Sequence, residues 1–380
     1  MSKRKICIIS SSRADYNHLF PIMSEIKSSK ELDLQVVVTG MHLQKNYGYT
    51  YKEILKDGFK IDKKIYTHQQ GTLKKDIIKS MSEQLIKTYY AINQLDPDVL
   101  IILGDRYDIY PIAIVGQIIQ KPIIHIHGGE ITHGCIDDSI RHSITKLSHV
   151  HFVATQEFQN RVIQLGEEKK NIYNIGSLGI QSIIKIPRMT KNEVFKKLKL
   201  DAKEKYFMVC LHPETVNENN SCMTDNLLRC LGKIEDHNFI FTSPNSDHGS
   251  DLMYKKILNF CKNNNKAFFS KSLGKKLFIN ALRFSSGIIG NSSSGIIEAP
   301  YLKINTVNIG NRQSGRPLAG SIINSNYSKN SINGAIKKLM KTCKTKSIVY
   351  KNKSPLKDII KILKNLDLKK TLIKKFSDIR

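Results

Sequence analysis

The sequence GIIGNSSSGIIE, residues 287–298, guides the interpretation of the whole chain. Its apolar start, 287–289, is typical of a buried strand, and six small or polar residues, 290–295, follow directly. Such residues cannot fill a core, but their N–H groups and hydroxyls can bind an anion where a helix begins. Glu298, one turn later, is placed to accept hydrogen bonds from a ribose. The stretch therefore indicates either a nucleotide diphosphate site or a helix-capping loop, because Ser and Asn are also common N-caps.

The same strand–loop–helix pattern recurs along the chain and predicts an α/β fold with two doubly wound domains. In the first half, the predicted strands are 5–10, 34–38, 99–103, 123–127 and 151–154, and the predicted helices are 16–28, 74–95, 109–120 and 138–148. The pattern restarts with strands at 206–211, 238–242, 287–289 and 306–309, and with helices at 223–235, 251–263, 275–284 and 332–341. Because 380 residues are too many for one core, we expect a Rossmann-like domain over 1–185 and a second over 186–355, joined through 183–205. A basic helix over 358–379 is expected either to return to the first domain or to lie on the surface.

Composition argues against several classes of protein. The net charge is +27, and residues 329–380 hold 16 Lys+Arg and 3 Asp, but the lysines are not interleaved with aromatic residues. We therefore expect a solvated basic surface and no nucleic-acid partner, and an acidic small-molecule substrate is compatible with this charge. No apolar run is long enough to span a membrane, and the apolar stretch near the start is too short for a signal peptide. Seven scattered cysteines without a C-x-x-C pair fit a reduced, cytoplasmic protein without a membrane partner.

Polar residues follow the predicted strands, where ligands bind in open α/β sheets. The six clusters are 11–13, 104–106, 128–130, 212–214, 243–245 and 291–293. Their presence in both halves indicates an enzyme with one cleft between the domains.

Two of these clusters contain arginines suited to phosphate. Arg13 could clamp a phosphate, or it could be solvated while Asp15 caps a helix. Asp105 and Arg106 form either a local ion pair or ligand contacts. The absence of G-x-G-x-x-G argues against a dinucleotide oxidoreductase.

Histidines and acidic residues supply candidates for proton transfer. His125 and His127 are expected on one strand face. A zinc site formed with His133 is one interpretation, but acid–base or oxyanion roles are favoured. Asp137 and Asp138 either cap a helix or supply one carboxylate to the cleft.

Two further residues belong to the second domain. His212 either contacts a phosphate or fills the core. Arg312, on a Gly-rich loop, suits phosphate neutralisation.

Eight motifs occur in an order that resembles a known family. They are SRADY (12–16), VTGMH (38–42), GDRYD (104–108), HIHGGE (125–130), IDDSIRHSITK (136–146), HPET (212–215), GNSSSG (290–295) and GNRQSGR (310–316). Together, over about residues 5–325, they are similar to the hydrolysing UDP-N-acetylglucosamine 2-epimerases of bacterial sialic acid synthesis.

The resemblance implies a GT-B-like fold of two Rossmann-like domains with an interdomain cleft. It implies conversion of UDP-N-acetylglucosamine and water to N-acetylmannosamine and UDP, without metal or nicotinamide cofactor. It also implies a homo-oligomer, dimer or tetramer, formed through the first domain, for which the helix at 109–119 is a candidate surface.

The same resemblance assigns residues to roles. Many relatives have Glu where this chain has His127, so either His127 or Glu130 is expected to act there. The expected catalytic residues are Asp105, His127, Glu130, Asp137 and His212. The expected UDP contacts, mostly in the second domain, are Arg13, Arg106, Asn245, Asn291, Ser292, Ser293, Glu298 and Arg312.

The chemistry follows from a carbon-2 proton that no carbonyl activates. UDP leaves with oxocarbenium character at carbon 1, a base takes the carbon-2 proton to form a glycal, and water then adds with protonation from the opposite face. Three alternatives stay open: the same reaction on UDP-2,4-diacetamido-2,4,6-trideoxyglucose, a GT-B glycosyltransferase, and a binding module for nucleic acid or membrane surfaces.

Overall fold

The protein is described by a computed structural model covering residues 3–67, 74–132, 136–214, 220–244, 250–342, 349–350 and 355–378. Its contacts divide the chain into two compact units. The first unit comprises Met1–Glu130, Asp137–Ser182 and Tyr350–Arg380, and the second comprises Ile131–Ile136 and Ile183–Val349. None of the described helices is both long enough and apolar enough to span a bilayer.

The first unit contains a parallel sheet of seven strands in the order β3-β2-β1-β4-β5-β6-β7. The strands are β1 (Arg4–Ser10), β2 (Leu32–Val38), β3 (Lys63–Lys64), β4 (Val99–Leu103), β5 (Ile123–Ile126), β6 (Val150–Val153) and β7 (Ile172–Asn174). The helices are α1 (Arg13–Ser28), α2 (Tyr51–Lys56), α3 (Lys74–Leu95), α4 (Tyr110–Ile118), α5 (Asp137–Leu147) and α6 (Gln156–Gln164), and α7 (Leu178–Lys185) begins in this unit and ends in the second. The central strands are apolar over their whole length, as β4 illustrates, because helices cover both faces of a doubly wound sheet. The strand order reverses between β1 and β4, so the residues that follow these two strands lie side by side.

The second unit contains a parallel sheet of six strands in the order β10-β9-β8-β11-β12-β13. The strands are β8 (Tyr206–Cys210), β9 (Asn238–Thr242), β10 (Ala267–Ser270), β11 (Gly287–Gly290), β12 (Thr306–Ile309) and β13 (Ile322–Ser325). The helices are α8 (Lys191–Leu198), α9 (Asn220–Leu231), α10 (Ser250–Lys262), α11 (Gly274–Phe284), α12 (Ser293–Ile296), α13 (Glu298–Tyr301) and α14 (Lys329–Lys341). Here β8 and β11 are the adjacent central strands, which brings the segments after residues 210 and 290 together.

The last described helices pack on the first unit. They are α15 (Pro355–Asn365) and α16 (Leu368–Leu372), so the single helix predicted over 358–379 is wrong: Asp367 caps a new helix, and residues 373–378 are not helical. Ile359 and Leu363 of α15 are fully buried in the core that also contains α1 and β1. Further along, Lys374 reaches Glu167, at 2.5 Å.

The predicted α/β fold with parallel sheets is confirmed, but four strands were not predicted. They are β3, β7, β10 and β13, which are the edge strands of the two sheets. An edge strand is short and is paired on one side only, so its sequence lacks the long apolar run of a central strand. The predicted join 183–205 contains α8, which begins with a capping box formed by Thr190 and Glu193.

Candidate active site

Arg141 connects the segments that follow β4 and β5 in the first unit. Its guanidinium donates hydrogen bonds to the carboxylate of Asp105 and to the carbonyl oxygen of His127, the latter at 3.0 Å. Its Nη1 also lies 3.7 Å from Oε2 of Glu130. Arg141 is 2% exposed, whereas the Asp105 side chain is 22% exposed. The network thus combines a buried cation with one carboxylate that is partly exposed to solvent.

The carboxylates around Arg141 keep its charge in place. Burial opposes the charged form, but nearby carboxylates outweigh burial and raise the pKa of the guanidinium; they belong to Asp105, Glu130, Asp137 and Asp138. Asp137 is the first residue of α5, where a helix favours negative charge. The position of Asp137 at the helix start and its influence on Arg141 are therefore both visible, and its catalytic role stays a prediction.

His127 and Glu130 form a hydrogen-bonded pair. Nδ1 of His127 lies 2.5 Å from Oε1 of Glu130, and both side chains are buried. His127 has a φ of +68°, a left-handed conformation that is uncommon outside glycine. Gly129 makes the same turn possible, because a Cβ there would lie 2.4 Å from the carbonyl oxygen of Phe158.

His125 has a different environment from His127. It lies within β5, fully buried, with Nε2 2.7 Å from the Gly104 carbonyl oxygen and Nδ1 3.2 Å from Oγ1 of Thr145. Burial lowers its pKa to about 3. His127 follows the end of β5, and its positive φ interrupts the strand alternation, so the prediction that both imidazoles share one strand face is wrong. No cluster of three metal-ligating side chains occurs among the described residues, and His133 lies outside them.

The end of β1 is organised by Ser12 and Asp15. Ser12 is the N-cap of α1, and the Asp15 carboxylate accepts hydrogen bonds from the backbone N–H and the hydroxyl of Ser11, so the alternative that Asp15 caps the helix is wrong. Burial, followed by the charge of Asp108, raises the pKa of Asp15. Arg13 begins α1 and is half-buried.

Arg106 pairs with a different carboxylate from the one expected. Its Nε lies 3.5 Å from Oδ1 of Asp108, while the carboxylate of Asp105 is bonded to Arg141. The alternative that Asp105 and Arg106 form a local ion pair is therefore wrong. The adjacent ends of β1 and β4 therefore bring Arg106 close to the carboxylates of Asp108 and Asp15, and Arg13 begins the helix that follows β1.

In the second unit, Asn291 connects the ends of β8 and β11. Its side-chain oxygen accepts from the His212 N–H at 2.7 Å, and its amide nitrogen donates to the His212 carbonyl oxygen at 2.8 Å. Gly290, with φ +141°, permits this approach, because a Cβ there would lie 2.0 Å from the Cys210 carbonyl oxygen. Asn291 is fully buried, so its visible role is to position His212, and its contact with a nucleotide stays a prediction.

His212 is held neutral near pH 7. Burial, assisted by the charge of Arg312, lowers its pKa to about 3. A neutral imidazole can still donate a hydrogen bond to a phosphate oxygen. Arg312 supplies the positive charge beside it.

Glu214 shapes the loop that carries Arg312. Its Oε1 accepts from the N–H groups of Asn311 and Arg312, at 3.0 and 3.1 Å, and its Oε2 accepts from the Tyr327 hydroxyl at 2.7 Å. The guanidinium of Arg312 and the amide of Gln313 both donate to the Asn291 carbonyl oxygen, at 3.4 and 2.8 Å. The Arg312 loop, the His212 segment and the loop after β11 thus form one hydrogen-bonded unit.

The loop after β11 differs from the single helix expected there. Ser292 is the N-cap of α12, which has four residues, and the backbone breaks at Ile297 before α13 begins at Glu298. Because a helix of one turn has a small dipole, anion binding here would depend on N–H groups and hydroxyls together with Arg312. Ser292 and Ser293 are half-buried, and Glu298 is buried. Asn245, also expected to contact UDP, lies outside the described residues.

Comparison with known proteins places these features in a family. Residues 24–364 match the model of the UDP-N-acetylglucosamine 2-epimerase family. The chain belongs to this family. A GDP/UDP-N,N'-diacetylbacillosamine 2-epimerase (hydrolyzing) of Campylobacter jejuni is 40% identical over 341 residues, covering 89% of this chain and 88% of that protein. The polysialic acid biosynthesis protein P7 of Escherichia coli is 36% identical over 369 residues, covering 95% of this chain and 94% of that protein.

A solved structure supports the fold independently. The UDP-GlcNAc 2-epimerase of Methanocaldococcus jannaschii, solved in complex with UDP-GlcNAc and UDP, superposes with a TM-score of 0.81 at 17% identity, covering 94% of this chain and 99% of that one. The predicted GT-B-like class and the predicted family are therefore confirmed, and the chain is an enzyme of the hydrolysing 2-epimerase type.

Three residues of the two sites received no individual role from the sequence: Arg141, Glu214 and Gln313. Arg141 and Glu214 lie inside recognised motifs, but their partners are 36 and 97 positions away, so no local pattern reveals them. The available signal was their charge at a position that proves to be buried, since a buried ionised group requires partners.

Proposed function

We propose that the enzyme converts UDP-N-acetylglucosamine and water to N-acetylmannosamine and UDP. The observation that carries the proposal is the network of Asp105, Arg141, Glu130 and His127 at the carboxyl ends of β4 and β5. It offers an accessible carboxylate and an imidazole near one another, as removal and return of a carbon-2 proton require.

The second unit supports the departure of UDP in this proposal. Arg312 provides a cation, neutral His212 provides a hydrogen-bond donor, and the loop at Ser292 and Ser293 provides hydroxyls and N–H groups. Donors fixed in advance stabilise the charge that develops on the leaving diphosphate without reorganising. We assign Glu298 to the ribose, and Arg13 and Arg106 to the nucleotide or its phosphates.

In the first step, the bond from carbon 1 to the diphosphate oxygen breaks as a base removes the carbon-2 proton, which leaves a glycal and UDP. Water then adds its hydroxyl to carbon 1 and gives its remaining proton to a base, while an acid protonates carbon 2 from the opposite face. We divide the proton transfers of these two steps among Asp105, Asp137 and His127.

A second candidate substrate is UDP-N,N'-diacetylbacillosamine, which has an acetamido group at carbon 4 and no hydroxyl at carbon 6. The observation that favours it is the 40% identity to the Campylobacter jejuni protein, whose name gives that activity. Both candidates share the 2-acetamido sugar and the nucleotide, so they use the same chemistry at carbons 1 and 2.

Proton NMR in D₂O with each UDP-sugar separately tests both candidates. The expected product is the free 2-epimer with deuterium at carbon 2, together with UDP, without any acceptor. The sugar with the higher kcat/KM is the assigned substrate. Turnover only after addition of a glycosyl acceptor would refute hydrolysis and indicate glycosyl transfer.

Replacement of Asp105 tests the assigned acid–base role. Asp105→Asn should lower kcat by about 10²–10⁴-fold, the usual contribution of a positioned acid or base. Asp96→Asn removes a comparable carboxylate, paired with Lys121 on the surface, and should retain wild-type kcat. Turnover of Asp105→Asn near the wild-type rate would refute the assignment.

We also propose that the enzyme is a homo-oligomer that associates through α3. The helix expected to serve, 109–119, is mostly buried within the first unit. That helix exposes only Ile118 among its large apolar side chains, whereas α3 exposes Ile78, Ile86, Tyr89 and Tyr90. Light scattering should give a multiple of the 43.3 kDa chain mass, and Ile86→Glu with Tyr90→Glu should give the monomer. A monomeric wild-type protein would refute this proposal.

A further inference from the structure

The backbone and the ring of His127 are held at three points. Its N–H donates to the Phe152 carbonyl oxygen at 2.9 Å, and its carbonyl oxygen accepts from Arg141 at 3.0 Å. Its Nδ1 lies 2.5 Å from Oε1 of Glu130. These contacts maintain the left-handed φ of +68°, a conformation that persists outside glycine only when its surroundings enforce it.

Glu130 determines which nitrogen of the ring carries the proton. The Glu130 side chain is 2% exposed, and the Arg141 guanidinium lies 3.7 Å from its second oxygen. An ionised carboxylate only accepts hydrogen bonds, so Nδ1 of His127 must donate. The lone pair of the neutral ring is then on Nε2.

Nε2 of His127 is available for chemistry as far as the described residues show. It is buried and has no hydrogen-bond partner among them, although residues 133–135 fall outside that set. The His127 side chain is 9% exposed, and the ring of His18 lies 5.2 Å away, centroid to centroid. A buried imidazole nitrogen without a protein partner is costly unless a substrate group uses it.

We propose that Glu130 is a positioning residue that holds His127 in its Nδ1–H tautomer, so that Nε2 is the base for the carbon-2 proton. The inference rests on the proposed function. In the step it serves, the proton passes to Nε2, the electron pair of the C–H bond forms the double bond between carbons 1 and 2, and the pair of the C1–O bond leaves with UDP. The imidazolium returns its proton to water before the next turnover.

The tautomer can be measured without any substrate. In protein labelled with ¹⁵N at histidine, the His127 signals, assigned through their loss in His127→Gln, should show a protonated Nδ1 and an unprotonated Nε2 near pH 7.5. A proton on Nε2 in the wild-type enzyme would overturn the proposal. This readout does not depend on turnover, so failure of the proposed function would leave it interpretable.

Kinetics of Glu130 variants give the second readout. The amide of Glu130→Gln can donate to Nδ1 and move the ring proton to Nε2, so kcat should fall by about 10²–10⁴-fold with little change in KM. Glu130→Asp, which keeps the carboxylate, should recover part of that loss. Glu157→Gln, which removes a carboxylate paired with Arg161 on the surface of α6, should match the wild-type enzyme. A fall in kcat of less than tenfold for Glu130→Gln would overturn the proposal; if that variant does not fold, the wild-type tautomer decides.

Discussion

Replacement of Asn291 by leucine should destabilise the second unit and weaken UDP binding together. Leucine has the same branched shape but cannot exchange the two hydrogen bonds, of 2.7 and 2.8 Å, with the backbone of His212. Each buried group left without a partner costs about 1–3 kcal/mol, so the loss for one N–H and one C=O is about 2–6 kcal/mol. Urea unfolding measures the loss in the free energy of unfolding, and titration calorimetry measures the Kd for UDP. We expect the Kd for UDP to rise about tenfold or more, or about 1.4 kcal/mol, because His212 and the Arg312 loop are both anchored on Asn291.

Asn280 provides a matched control in the same unit. It is also fully buried, and its side chain bonds to the Met189 N–H at 3.1 Å, the Pro187 carbonyl oxygen at 3.1 Å and the Lys276 carbonyl oxygen at 2.8 Å. Asn280→Leu should lose comparable stability but retain wild-type UDP affinity under conditions where it is folded. If both variants bound UDP equally well, or if Asn291→Leu were as stable as wild type, the anchoring role of Asn291 would be refuted.

Two further predictions concern charged groups. Arg312→Ala should raise the Kd for UDP by about 10–100-fold, because hydrogen bonds to charged groups contribute about 1.5–3 kcal/mol. Arg229→Ala, on the exposed face of α9, should leave the Kd unchanged. Equal UDP affinities of the two variants in calorimetry would contradict the role of Arg312. Burial raises the pKa of the Glu167 carboxyl, but His151 and the nearby lysines outweigh it and lower the pKa from 4.5 to about 2. The Glu167 contribution to stability is therefore complete above pH 4.5 and lost as the pH falls toward 2. Glu167→Gln should lower Tm at neutral pH and flatten its decline below pH 4.5, and an unchanged Tm profile would argue against this.

The fold could be predicted because its central strands are buried on both faces. Strands such as β4 and β8 are apolar throughout, and a polar cluster marks the end of each. The alternation of strands with helices, and the sheet edge at which ligands bind, can therefore both be predicted from the sequence. The edge strands carry no such signal. For the last part of the chain, one long helix was predicted where two short helices occur, because the amphipathic period continues past Asn365. The cap at Asp367 is a local hydrogen bond that periodicity does not reveal.

The candidate site was predictable in composition but not in pairing. The motifs identify Asp105, His127, Glu130 and Arg312 as unusual residues, yet they do not reveal which group faces which. Only the three-dimensional arrangement shows that Arg141, and not Arg106, neutralises Asp105. In the same way, the amide of Asn291 is directed at a backbone segment 79 positions away.

The return of the chain end to the first unit affects how that unit forms during synthesis. Glu167 and its partner Lys374 are separated by 207 positions. At about 5–20 residues per second, Lys374 leaves the ribosome about 10–40 s after Glu167. For most of that interval the core beside α1 lacks Ile359 and Leu363, so its apolar surface stays open to solvent or to a chaperone. The first unit begins folding first but can be completed only after the second unit has been synthesised.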